Sequence, residues 1–192
     1  MAVTHGMADR SFPAEWTAEV LAARPVILPR RHFVYPVEVE EVERGALELL
    51  VKPASGDTFL ATCALGFADP SAPTGVWSCP DPEWLCAVSG GYAYLIHTLQ
   101  PQQWSQIPYR PVLSVRALKE QQLLLFVGHH TILAWGRDGQ AWQSERLSWE
   151  GIEITDIVGD TLCGLGWDLM TDKDVPFAID LKSGEHTGGV TG

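Results

Sequence analysis

The sequence contains no asparagine. That excludes N-linked glycosylation and leaves turn chemistry to glycine, aspartate, proline and serine. Basic residues are scarce: 13 Lys and Arg against 24 Asp and Glu give a formal net charge of −11, and Arg30-Arg31 is the single adjacent basic pair. No long basic footprint exists for nucleic-acid phosphates or an anionic membrane surface, so neither is an expected partner. No apolar run approaches the ~20 residues of a membrane-spanning helix. The first residues carry neither a basic stretch followed by an apolar core nor an Arg-rich amphipathic pattern, and the expectation is a cytoplasmic protein. Cysteine is rare: Cys63, Cys79, Cys86 and Cys163, three of them inside apolar strand-like runs. Buried reduced thiols are expected there rather than a disulfide framework.

The usual catalytic signatures are missing as well. There is no Gly-x-Ser-x-Gly, no phosphate-binding glycine loop ending in Gly-Lys-Ser/Thr, no His-Glu-x-x-His and no Cys-x-x-Cys. Gly164-Leu165-Gly166 lacks the third glycine of a dinucleotide fingerprint. No cofactor is implied.

What the sequence does have is a repeat. Residues 85–106 and 123–144 superimpose without a gap at an offset of 38, matching Leu85 to Leu123, Gly90 to Gly128, Leu95 to Leu133, Gln102 to Gln140 and Trp104 to Trp142. Leu123 maps forward to Leu162 at an offset of 39, and Gly45 maps to Gly90 at an offset of 45. Four copies with a period near 40 residues follow, and such a period dictates the fold before any single residue does.

Each copy reads as short strands. Val76–Cys79, Val112–Ala117 and Ile152–Val158 alternate as half-buried first strands, whereas Leu123–Val127 is apolar throughout, as a strand covered on both faces should be. Third strands are expected at 47–51, 92–97, 131–135 and 177–181, followed by turns at Ser55-Gly56, Gln100-Pro101, Asp138-Gly139 and Ser183-Gly184. Copy one has no obvious first strand unless His32–Tyr35 supplies it. Ahead of the repeats, residues 1–31 read as a separate segment, with a short helix over Ala14–Arg24 that places Trp16, Val20 and Ala23 on one side. The expected organisation is therefore this segment and one β-repeat domain, 32–192.

Four antiparallel sheets of three or four strands, with turn segments such as AWGRDGQAW and AIDLKSGEHT, resemble the blades of WD-repeat and quinoprotein-type β-propellers. The resemblance is to a superfold and implies a small or incomplete propeller, closed within one chain or by a homodimer. A β-sandwich is the alternative.

In an up-and-down meander, the turns between second and third strands share an end with the links between repeats. That end collects Arg44, Gly90-Gly91, Tyr92, His129, His130, Asp168, Asp172 and Asp174. Polar loops on a rigid scaffold are where binding residues concentrate. Trp77, Trp84 and Trp149 lie near loops, where an aromatic could anchor a partner. His129, His130 and Asp168 are candidate metal ligands, although adjacent strand residues point to opposite faces. The acidic run Glu38, Glu40, Glu41 and Glu43 reads as a charged outer face of a sheet edge. The function expected is a non-enzymatic protein-interaction module presenting this loop-rich end. Charge complementarity favours a basic protein partner, with the chain acting as monomer or homodimer. Two alternatives use the same end: a small-ligand or metal-dependent enzyme site, and carbohydrate binding through loop tryptophans.

Overall fold

The computed structural model describes residues 7–37, 44–67 and 71–190. Among them the chain is all β, with no α-helix, and its strands form four sheets. It divides into two compact units, Met1–Val112 and Leu113–Gly192.

The second unit is the simpler. Strands β10 (Ser114–Leu118), β11 (Leu123–Val127), β12 (Ile132–Gly136) and β13 (Gly139–Gln143) pair in chain order, as do β14 (Ile152–Val158), β15 (Thr161–Asp168), β16 (Lys173–Asp180) and β17 (His186–Gly188). Each sheet is an up-and-down meander, the topology of a propeller blade. Every residue of β11 is buried, as its unbroken apolar run requires. Leu123, Leu125, Val127, Ile132 and Ala134 pack against Leu162, Phe177, Ile179 and Leu181 of the other sheet. Trp142 closes this core and donates its Nε1–H to the carbonyl of Leu181 at 2.8 Å. The turn glycine Gly184 leaves room for it, because a Cβ there would lie 2.6 Å from the Trp142 ring.

In the first unit, β6 (Gly75–Ser78), β7 (Trp84–Ser89), β8 (Tyr92–His97) and β9 (Trp104–Gln106) form the same meander, to which β1 (Met7–Asp9) adds in parallel beside β6. The other sheet has the order β2 (Trp16–Leu21), β4 (Ala46–Pro53), β5 (Phe59–Ala64), β3 (His32–Tyr35). Leu47, Leu49, Val51, Phe59, Ala61 and Cys63 face Leu85, Ala87, Tyr92, Tyr94 and Ile96 across the interior. The two deepest tyrosines keep their hydroxyls satisfied, Tyr35 on the Pro101 carbonyl at 2.7 Å and Tyr94 on the Ala64 carbonyl at 3.0 Å.

Two expectations are corrected here. Residues 16–21 are a strand, not part of a helix. Trp16, Ala18 and Val20 face the core and Thr17 and Glu19 face out, so the segment also carries a period of two. Six residue pairs with β4, from Trp16 opposite Pro53 to Leu21 opposite Glu48, outweigh a weak helical preference in so short a segment. His32–Tyr35 is a strand but does not open a meander: it lies outermost, parallel to β5. The place beside β4 is taken by β2. The cysteines are all free, and burial pushes the thiols of Cys63, Cys79 and Cys86 up. The acidic run at 38–43 lies outside the described residues.

Candidate functional site

Three segments of the second unit gather at one end. The β11–β12 turn carries His129 and His130, the β15–β16 turn carries Asp168 and Asp172, and the link between the two sheets carries Arg146 and Trp149. Backbone bonds tie them together: Leu147 N–H to the His130 carbonyl at 2.8 Å, and Trp149 N–H to the Trp167 carbonyl at 2.9 Å. The buried Ser148 hydroxyl accepts from Trp167 N–H at 2.9 Å and Glu150 N–H at 3.1 Å. Gly166 makes this crossing possible, since a Cβ there would stand 2.1 Å from the Leu147 carbonyl oxygen.

Within this frame the individual groups have different jobs. Asp168 serves its own turn, accepting from Met170 N–H at 3.3 Å and from the Thr171 hydroxyl at 2.7 Å. Asp172 adopts φ 52°, a left-handed conformation that aspartate tolerates better than most residues, and accepts from Trp167 Nε1–H at 3.2 Å. His130 Nδ1 lies 3.2 Å from the Ser148 carbonyl, and the His129 and His130 rings are 6.0 Å apart. Among the described residues, no three His, Cys, Asp or Glu side chains converge in a way that could hold a metal ion, so His129, His130 and Asp168 are not brought together.

Trp149 stands apart from the other tryptophans. Trp16, Trp142 and Trp167 each donate their indole N–H to an acceptor. Trp149 Nε1 is buried and finds no acceptor among the described residues. The residue is partly exposed, and the Arg146 guanidinium lies over its ring at 4.2 Å. A buried donor without a partner costs about 1–3 kcal/mol, so hydrogen bonding does not explain the ring's position. Beside it opens a shallow depression of about 280 Å³, lined by Ile152, Leu165 and Trp167 and rimmed by Glu150, Glu153 and Asp174.

The corresponding end of the first unit is closed. Tyr92 is 8% exposed, capped by Arg110 at 4.5 Å over its ring and by the edge of Phe67 at 5.9 Å. Arg44 is exposed just ahead of β4. Trp77 corrects the expectation of an exposed anchor: it is 1% exposed, because β1 adds alongside β6 and turns a would-be edge strand into an interior one. Sequence reasoning missed Arg146; its position three residues before a link tryptophan was the available signal. A second depression, of about 300 Å³, is lined by Trp16, Lys52 and Pro53 in the first unit.

No family model matches the chain, and no curated protein matches it. Among solved structures it is similar to "Streptogramin B lyase structure", with 10% identity over 77% of this chain and 48% of that one, at a TM-score of 0.41. It is also similar to "Crystal Structure of the N-terminal Domain of Nup159", with 12% identity over 97% of this chain and 53% of that one, at a TM-score of 0.36. The chain therefore spans about half the length of either. No helix among the described residues is long and apolar enough to cross a membrane.

Proposed function

We propose that this protein is an interaction module that binds a basic segment of a protein partner at the loop-rich end of its second unit. The observation that carries the reading is Trp149: a partly exposed ring, unsupported by a hydrogen bond of its own, whose face accepts a guanidinium. A ring so placed is suited to stacking on cationic side chains, each contact contributing about 0.5–2 kcal/mol depending on how fully water is excluded. Glu150, Glu153 and Asp174 surround the adjoining depression, and none of the three is ion-paired among the described residues. Their charge favours a basic partner and speeds its approach. Ile152, Leu165 and the Trp167 ring supply an apolar floor for the stem of a lysine, arginine or neighbouring aliphatic residue.

A metal-dependent reaction lacks a ligand group among the described residues. The test is affinity capture from host extract at low salt with the wild-type chain, Trp149→Ala and Glu150→Gln/Glu153→Gln/Asp174→Asn as baits. A basic protein retained by the wild type and lost from both variants is the expected result. Equal capture by all three baits refutes the reading.

A further inference from the structure

We infer that residues 24–31 form a docking finger whose apolar tip seats in the acid-rimmed depression of a second copy of this chain. The inference rests on the reading above that the depression is a docking site, and adds its occupant.

The finger connects β2 to β3. Among the described residues its tip is the most exposed apolar stretch of the first unit: Val26 is 101% exposed, Ile27 88% and Leu28 47%. Contiguous apolar side chains turned fully into water mark an interaction surface. The two legs, in contrast, are fastened. Arg24 Nε donates to Glu48 Oε1 at 2.8 Å, and the Thr62 hydroxyl donates to Glu48 Oε2 at 2.6 Å. His32 Nε2 lies 2.8 Å from the same hydroxyl oxygen. Because Thr62 gives its proton to Glu48, His32 is the donor in that contact. Arg31 donates to the Asp57 carbonyl at 2.8 Å and lies over Phe59 at 5.8 Å. Pro25 and Pro29 restrict the backbone on either side of the tip. A loop held this way loses little further freedom on docking.

Charge selects the occupant. Residues 20–37 contain three arginines and neither Asp nor Glu, in a chain of net charge −11. The finger is thus a basic, apolar element on an acidic protein, and the depression is an acid-rimmed, apolar-floored recess whose volume suits one or two aliphatic side chains. Ile27 or Leu28 fits its floor and the exposed Arg30 its rim. A lipid surface fits less well: with Glu48 offsetting Arg24, the finger keeps the charges of Arg30 and Arg31, fewer than the cluster of four or more basic residues that an anionic membrane recognises. Finger and depression are different patches, so each contact joins the finger of one copy to the depression of another.

Sedimentation velocity of the full chain, from low micromolar to hundreds of micromolar, tests this. The wild type is expected to associate, with added salt weakening the association at least tenfold. Ile27→Asp, an exposed position, and Glu153→Lys/Asp174→Lys are each expected to be monomeric. Mixed together, the two variants should form a one-to-one heterodimer and nothing larger, because one supplies an intact depression and the other an intact finger. A wild type that stays monomeric overturns the proposal, as does Ile27→Asp associating like wild type or a mixture that fails to pair. Binding of a monomeric wild type to phosphatidylserine vesicles, lost in Ile27→Asp, overturns it in favour of a lipid surface. Capture of a basic partner that still depends on Trp149 would then leave the earlier reading intact.

Discussion

The two units build the same end of the same repeat and finish it differently. In the first, the link residue Arg110 lies over Tyr92, Phe67 closes the edge, and the aromatic ring is buried. In the second, the link residue Arg146 lies over Trp149, nothing comparable closes the edge among the described residues, and the ring stays partly exposed, next in sequence to a depression rimmed by three carboxylates. One stacking device therefore serves as a lid in one unit and as a presentation platform in the other. Tyr92 maps at the offset of 38 to His130, not to Trp149, so the difference teaches that a link arginine can stack on a ring supplied either by the neighbouring strand or by the link itself, and that the first is closed while the second stays partly open.

Substitutions can sharpen that contrast, beginning with the largest effect. Trp77→Ala removes a large, 1% exposed side chain and should cost about 3–5 kcal/mol, read as a shift in urea midpoint. Gly166→Ala forces a Cβ against the Leu147 carbonyl oxygen at 2.1 Å, so the Trp149 link must lift from β15. A loss of about 1–3 kcal/mol is expected, with Trp149 fluorescence changing in the folded state. An unchanged midpoint would show that the link does not lie as described.

A smaller effect concerns pH. Burial and, secondarily, Arg24 push the His32 imidazole below its ordinary value, against an upward pull from Glu48. The unfolded chain takes up this proton more readily than the folded one. The contribution is therefore intact above the ordinary histidine range and is lost as pH falls below about 6.5 toward the lower folded value. His32→Gln should flatten the dependence of the urea midpoint between neutral and mildly acidic pH; a dependence identical to wild type contradicts this. Smallest on stability is Trp149→Ala, expected within about 0.5 kcal/mol of wild type while partner capture is lost.

Much of this architecture was legible in the sequence. The bounds of Leu123–Val127, Tyr92–His97 and Ile152–Val158 follow from apolar runs and turn glycines, and the offset of 38 places Trp104 and Trp142 on equivalent outer strands, β9 and β13. Residues 16–21 were not legible, because Trp16 and Val20 satisfy both a period of two and a helical spacing; pairing with β4, distant in sequence, decides between them. The burial of Trp77 depends in the same way on β1, a three-residue strand some 66 positions upstream (75 minus 9). For the proposed site, the meander points to the loop-rich end and nearness to a loop points to Trp149. That Asp168 serves its own turn, and that Arg146 covers Trp149, are matters of side-chain direction that spacing does not encode.

The most direct measurement is the dissociation constant of the basic partner recovered by capture, determined by titration calorimetry against wild type and Trp149→Ala at matched salt. A ring that anchors the interface should contribute about 2 kcal/mol, so the account predicts affinity weakened roughly 30-fold with folding stability unchanged. Equal affinity for the two proteins would contradict it, and would place recognition elsewhere on the chain.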